Sequence, residues 1–416
     1  MKLKLIPEKS VFTGSQDANY VIHGDNIEVM NYFNEYKDTI LPINCMIWDP
    51  PYNTGRRDLN YNDDRANWSS FMSDRLCIAR DILKDSGNIA VHINYKNIFT
   101  LANIMDWVFG EKNRKGIINW ECSLSLKNAS QSICSNTDYI LIYAKNKKKS
   151  FTGLLPRTEA MIARYNKSDS GGQFKSDKAT GVYAVIDLSG AQATKDNRYG
   201  IQNPITKKIY YPSQGRGWRR SQAFSLEELG KWGPCEIIDN CIIFTGEVNE
   251  AASTSYIVFG NTNLTGPRLK QYFHELKRNG RVVGSFWKPA DTDDIDINLS
   301  LTLDISGHNG EAKHAYSQLM NSELFMTPKP LKITKTLLEV LCPSNGLVLD
   351  AFAGSGTVGH AVLETNATQQ ASRNFVLIEN EDYCDNICAE RLRRVSKILD
   401  HQCCHFNYYE LDKEPS

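Results

Sequence analysis

Strand and helix signals alternate over the first 145 residues, break off, and resume near Pro330. Any fold must therefore reunite two distant stretches of chain in one α/β sheet. In the first stretch, Val21, Ile22 and His23 form a strand that turns at Gly24-Asp25-Asn26 into a helix over 27–33. A second apolar run ends on Asp49. Trp68, Phe71, Met72, Leu76, Ala79, Ile82 and Leu83 keep a 3.6-residue period, so they form an amphipathic helix with Gly87 at its exit. A strand over 89–93, a helix ending near Phe109 and Gly110, and strands over 117–120 and 139–143 complete this half. In the second stretch a helix over 333–341 leads to a strand ending on Asp350. A helix to Leu363, a strand ending on Glu379 and a helix over 381–399 follow. The expected fold class is α/β: a doubly wound, mostly parallel, Rossmann-like sheet split by an inserted α+β segment. The expected boundaries are 1–145, 146–301 and 302–400, with a C-terminal tail over 401–416.

Composition narrows the setting. A chain of 416 residues, 41% hydrophobic and 23% charged, has room for a large core and resembles ordinary globular proteins. No run approaches the ~18 apolar residues of a membrane span. The start, MKLKLIPEKS, lacks the apolar stretch of a secretory leader, and eleven cysteines then read as reduced thiols of a cytoplasmic protein. The net charge of zero conceals an asymmetry. Residues 145–220 hold 16 Lys and Arg against 5 Asp and Glu, an excess of +11 that the remainder balances. Within this segment Tyr210-Tyr211-Pro212 precedes Arg216-Gly217-Trp218-Arg219-Arg220. Arg216, Trp218, Arg219 and Arg220 thus read as a nucleic-acid surface.

Two motifs carry the chemistry. The strand ending at Asp49 runs into Pro50-Pro51-Tyr52-Asn53. Consecutive prolines fix φ near −65° and remove two donors, leaving carbonyls in a rigid turn at a strand's carboxyl end. An acidic acceptor, a fixed carbonyl and a flat ring suit a planar base bearing an exocyclic amine. Far downstream, Asp350-Ala351-Phe352-Ala353-Gly354-Ser355-Gly356 opens a Gly-x-Gly-x-x-Gly turn, and Glu379 ends the next strand where a ribose acceptor belongs. The glycines alone fit a nicotinamide dinucleotide equally well. Asp350 tips the choice: a carboxylate there suits an α-ammonium and opposes a pyrophosphate, which favours S-adenosyl-L-methionine.

With both motifs in place the chain resembles the beta group of amino-methylating DNA methyltransferases, and among them the modification subunits of type III restriction systems. The likeness also takes in Gly24-Asp25-Asn26, the Tyr61 region, Asn136 to Tyr139, Tyr211-Pro212 and Phe325-Met326-Thr327-Pro328-Lys329-Pro330. The resemblance implies adenine-N6 methylation of a flipped base, with Asp49 and the Pro50 carbonyl accepting from the amine, Pro51 stiffening the turn, Tyr52 stacking and Asn53 helping to position the base. It implies Asp25 at the cofactor adenine, Lys329 at the methionine carboxylate, Asp350 at the ammonium, Glu379 at the ribose, and Phe352, Ala353, Gly354, Ser355 and Gly356 as a backbone cradle. The insertion becomes a target recognition domain, and a homodimer and a restriction nuclease subunit become candidate partners. N4-cytosine methylation is the alternative; that group resembles Ser at the position of Asp49. More remote are an RNA or glutamine amine methyltransferase, an NAD-dependent dehydrogenase and a catalytically silent DNA-binding subunit. Pro234-Cys235 lies inside the insertion, away from both motifs, and reads as structural. The Cys384, Cys388 and 401–405 Cys/His positions lack zinc-knuckle spacing, so no metal is expected. His23, His92 and His360 read as packing or capping residues.

Overall fold

The computed structural model describes residues 2–11, 19–36, 43–124, 133–163, 165, 167–168, 182–249, 255–259, 265–273, 280–289, 306–399 and 405–412. The chain divides into two compact units, Met1–Leu155 with Arg281–Ser416, and Pro156–Gly280.

The first unit holds a sheet whose strands are β1 (Lys2–Leu5), β2 (Asn19–His23), β3 (Ile43–Trp48), β4 (Leu83–Asn94), β5 (Arg114–Glu121), β6 (Thr137–Ala144), β7 (Phe286–Trp287), β8 (Leu347–Asp350), β9 (Asn374–Glu379) and β10 (Phe406–Asp412). Their spatial order is β1-β10-β2-β9-β8-β3-β4-β6-β5-β7. The six strands from β10 to β4 are mutually parallel, whereas β6 runs antiparallel to both of its neighbours. The central strands are apolar on both faces, as parallel strands covered on both sides must be. Along β3, Cys45 and Ile47 face one core while Met46 and Trp48 face the other. Helices α1 (Asn26–Glu35), α2 (Trp68–Ile82) and α3 (Ile98–Phe109) pack on the second face. Helices α5 (Leu331–Leu341), α6 (Thr357–Gln369) and α7 (Glu390–Ile398) cover the first, and α4 (Asn309–Met320) precedes them in the chain. The α/β class, the doubly wound arrangement and the reunion of two chain halves match the sequence reading.

Several local expectations change. Residues 145–155 belong to the sheet unit because Phe151 N donates to Ser86 O, Gly153 N to Val340 O, and Leu155 pairs with Arg281. The same pairing, with β7 alongside β5, moves the far boundary from 301 to 281. Gly87 lies inside β4, where its carbonyl accepts from Lys145 N, so it does not close α2. The helix expected over 381–399 is α-helical only in α7; a 3-10 turn (Asp382–Cys384) and a π turn (Asp385–Ala389) precede it. Finally, residues 406–412 are no tail. β10 lies between β1 and β2, where the alternation of Phe406 and Tyr408 buries both rings.

The second unit contains short strands in small sheets, one from Ile209–Tyr210, Gly200–Gln202, Cys241–Phe244 and Cys235–Ile238, with a helix over Gln222–Gly230. Tyr199, Ile201, Trp218, Leu229, Trp232, Ile242 and Phe259 form its core. Among the described residues no helix is long and apolar enough to cross a membrane.

Candidate active site

Parallel register brings the carboxyl ends of the central strands to one edge. His23 sits opposite Glu379, Leu377 opposite Asp350, and Leu349 opposite Met46. At β8 and β3 the chain departs in opposite directions, through α6 on one face and α2 on the other. Such a switch point opens a crevice. A cleft of about 230 Å³ occupies it, lined by residues from both motifs, including Asp25, Asp49, Phe352, Asp350 and Glu379.

At one end the Asp-Pro-Pro-Tyr turn is held by partners on three segments. Trp68 Nε1 donates to Pro51 O (2.7 Å), and Asn97 Nδ2 donates to Tyr52 O (2.7 Å). Asn53 adopts a left-handed φ of 56°. Its backbone N–H and that of Thr54 bond the Asp63 carboxylate (3.0 and 2.9 Å), while its Oδ1 accepts from Arg65 N. The Asn53 side chain therefore braces the loop rather than reaching for a base. These bonds occupy the Pro51 and Tyr52 carbonyls, and among the described residues the Pro50 carbonyl has no donor. Asp49 Oδ2 accepts from Lys329 Nζ at 2.6 Å, whereas Oδ1 is buried without a hydrogen-bond partner among the described residues. Burial, and then the Asp49 charge, hold the Tyr52 phenol well above its usual range, so it stays neutral. His92, beneath this end, is pushed down to about 4 by burial and is neutral at pH 7; its ring meets Trp120 edge-on. Asp138 on β6 is raised to about 6 by burial, with Lys329 opposing the rise.

At the other end, Asp350 Oδ1 accepts from Phe352 N (3.0 Å). Burial raises its carboxyl well above the ordinary range. Glu379 accepts three backbone N–H groups, from Gly354 (2.7 Å), Asn380 (2.9 Å) and Glu381 (3.0 Å). Burial lifts its carboxyl to about 7 against the pull of those donors. Gly354 and Gly356 have φ of 51° and 75°, a region that L side chains avoid. A Cβ on Gly354 would lie 3.2 Å from the Phe325 ring, and one on Gly356 3.0 Å from Cys388 O. Phe352 fills the space between the two ends, with Trp48 and Phe71 at 5.6 and 6.1 Å. The Ser355 hydroxyl points away from the cleft, to Arg391 (3.0 Å), so Ser355 and Ala353 offer backbone only.

Two expectations, on Lys329 and Trp218, need correction, and Asp25 has further partners. Lys329 lies on Asp49, 280 positions away in sequence, and not in a free position for a cofactor carboxylate. Asp25 caps α1 through Ile27 N (2.9 Å) and pairs with Arg75, while still lining the cleft. Trp218 is 3% exposed and donates through Nε1 to Tyr199 O, so it is a core residue of the second unit. Arg216, Arg219 and Arg220 are exposed; Arg220 stacks on Phe224. Three residues around the site escaped the sequence reading: Asp63 and Asn97, which brace the loop at Tyr52 to Thr54, and Arg75, which lines the cleft and whose Nε bonds Asn26, which in turn holds Ala351 O. None carries a local signal; only Arg75, on the apolar-periodic face of α2, breaks a pattern. Cys235 is half-buried, and burial raises its thiol, the opposite of an activated nucleophile. Cys384 and Cys388 are buried, residues 401–404 lie outside the described residues, and no metal-ligand cluster occurs among the described ones.

Comparison with known proteins gives the family. The family model N6_N4_Mtase, DNA methylase, matches residues 43–390, and the chain belongs to that family. The StyLTI Mod subunit of a type III restriction-modification enzyme from Salmonella typhimurium is 27% identical over 86% of this chain and 52% of its own length. The type II methyltransferase M.EcaI of Enterobacter cloacae is 35% identical over 75% of this chain and 58% of its own. The chain spans 52% to 58% of the length of the type III subunits of Salmonella, Escherichia coli and phage P1 that it matches. The structure of TTHA0409, a putative DNA modification methylase of Thermus thermophilus complexed with S-adenosyl-L-methionine, aligns over 95% of this chain and 100% of its own. Its TM-score is 0.40 and its identity 13%.

Proposed function

We propose that this protein is a site-specific DNA methyltransferase that moves a methyl group from S-adenosyl-L-methionine to adenine N6 in double-stranded DNA, acting on a base extruded from the duplex. One observation carries the reading. Asp49, whose Oδ1 has no donor among the described residues, lines a cleft that also holds Asp350 and Glu379, and the adjoining Pro50 carbonyl is likewise without a donor among the described residues. An aromatic amine is a poor nucleophile because its lone pair is delocalised into the ring. Asp49 and Pro50 O would each accept one N–H, favouring a pyramidal nitrogen whose lone pair points away from them. Tyr52 would stack on the extruded base. The amine proton released after transfer can leave to solvent, and neutral His92 is not required as a base.

The cofactor pocket fits the donor set. Asp350 would face the ammonium, Glu379 the ribose hydroxyls and Asp25 the adenine, with residues 352–356 presenting backbone where Gly354 leaves no room for a Cβ. The cofactor supplies an electrophilic methyl on a sulfonium. Asp at position 49 and kinship with type III modification subunits favour adenine over cytosine. On the same footing the second unit is the target recognition domain, a restriction nuclease subunit is a candidate partner, and a homodimer is the candidate assembly, in the cytoplasm where DNA is accessible.

The test is to incubate the protein with DNA and S-adenosyl-L-methionine, then digest and analyse nucleosides by mass spectrometry. N6-methyladenine is expected. N4-methylcytosine would overturn the choice of base, and no methylated nucleoside would overturn the whole reading. Modification-sensitive long-read sequencing then gives the target site.

A further inference from the structure

Among the described residues three cations line the cleft: Arg65, Arg75 and Lys329. Arg65 stacks on Phe71 at 4.2 Å, and Arg75 is engaged with Asn26 and Asp25. Of the three, Lys329 is the one that reaches the Asp-Pro-Pro-Tyr turn. Its Nζ bonds Asp49 Oδ2 at 2.6 Å and lies 5.1 Å from the centroid of the Tyr52 ring. The local sequence delivers it rigidly. Pro328 and Pro330 flank it, and a following proline confines Lys329 to extended backbone. Pro330 stands at the start of α5, where its carbonyl accepts from Thr334 Oγ1 (3.2 Å). The irregular segment before it is tied to the loop after Tyr52, since Asn60 bonds both Leu324 O and Met326 N. The lysine side chain is 14% exposed and that of Asp49 30%, so the pair is shielded from screening.

A carboxylate held by one oxygen loses its rotation about the terminal bond, which decides where the second oxygen points. Here the held oxygen is Oδ2, and the second, Oδ1, is buried and has no hydrogen-bond partner among the described residues. We propose that Lys329 is a positioning residue for methyl transfer: by gripping Asp49 Oδ2 beside the Tyr52 ring, it presents Oδ1 and the Pro50 carbonyl together to the target amine. This rests on the function proposed above and assigns Lys329 to the base end of the cleft. Asp138, whose charge acts on the same lysine, would keep the ammonium at this end.

The test compares Lys329→Met and Lys329→Arg with the unaltered chain, using Asp49→Ala as an inactive control. The readouts are transfer of a tritiated methyl to DNA, giving kcat and KM for DNA, cofactor Kd by calorimetry, and thermal unfolding. Lys329→Met should lower kcat about 100-fold, the cost of a misplaced reacting group, while cofactor Kd changes less than about 3-fold. Lys329→Arg should recover a large part of kcat, because a guanidinium also holds a carboxylate. Three results would overturn the assignment: unchanged kcat in Lys329→Met, a cofactor Kd weakened tenfold or more with kcat unchanged at saturating cofactor, or a loss of kcat that Lys329→Arg does not recover. An unaltered chain that binds the cofactor yet methylates no DNA would instead refute the underlying function, and this role with it.

Discussion

Glu379 illustrates how one buried side chain ties chemistry to pH. Its carboxyl titrates near 7 in the ligand-free protein because burial disfavours the charge. In the proposed role ribose hydroxyls would donate to the ionised form, so binding should demand deprotonation. At pH 6 about one molecule in ten is ionised, and cofactor affinity should be roughly tenfold weaker than at pH 8. The burial shift on Asp350 acts in the same direction. Stability moves oppositely. The folded state binds this proton more tightly than the unfolded one, whose carboxyl titrates near its ordinary 4.5. Stability contributed by the protonated form is therefore lost as pH rises from about 4.5 through 7, by a few kcal/mol at most. Calorimetry from pH 5 to 8 should show the ligand-free melting temperature falling through this contribution while cofactor affinity climbs. A Kd independent of pH over that range would remove Glu379 from the cofactor site.

Among the elements, β10 is the one whose importance its position in the chain conceals. It is an inner strand of the sheet, parallel to β2, and Phe406 and Tyr408 are 1% and 0% exposed. Phe406→Ala should cost about 3–5 kcal/mol, the usual cost of truncating a buried aromatic. Denaturant titration followed by circular dichroism measures this; a change below about 1 kcal/mol would mean the strand is peripheral to the fold. Its alternation, Phe-Asn-Tyr-Tyr-Glu-Leu-Asp, is legible as strand once read for period two. The π turn before α7 is not legible in that way: Asp385–Ala389 carries no period of its own, and its Cys388 carbonyl would lie 3.0 Å from a Cβ on Gly356.

For the molecule as a whole, the charge asymmetry concentrates in a segment that lies largely in the second unit. Arg216 and Arg220 are exposed there, while Trp218 between them is core. Replacing both arginines by Ala should weaken DNA binding across all sequences and reduce the salt slope, by about 0.9 for each phosphate no longer neutralised. Fluorescence anisotropy at several salt concentrations measures both. An unchanged slope would place the DNA surface elsewhere. Trp218→Ala should act differently, destabilising the second unit without changing the slope of the fraction that remains folded.

Sequence alone determined the α/β class, the split of the sheet, and that Asp49, Asp350, Gly354 and Glu379, which line one cleft, end strands or open turns. These depend on short-range patterns: apolar strands ending in acids, prolines that stiffen a turn, glycines that permit a left-handed backbone. Tertiary structure alone decided the partners. Lys329 meets Asp49 across 280 positions, Arg75 meets Asn26 across 49, and Trp218 turns inward although its neighbours are arginines. Parallel strand order sets the first two meetings, and packing against Tyr199 in the second unit sets the third, because pairing between distant segments, and no local period, brings these residues together.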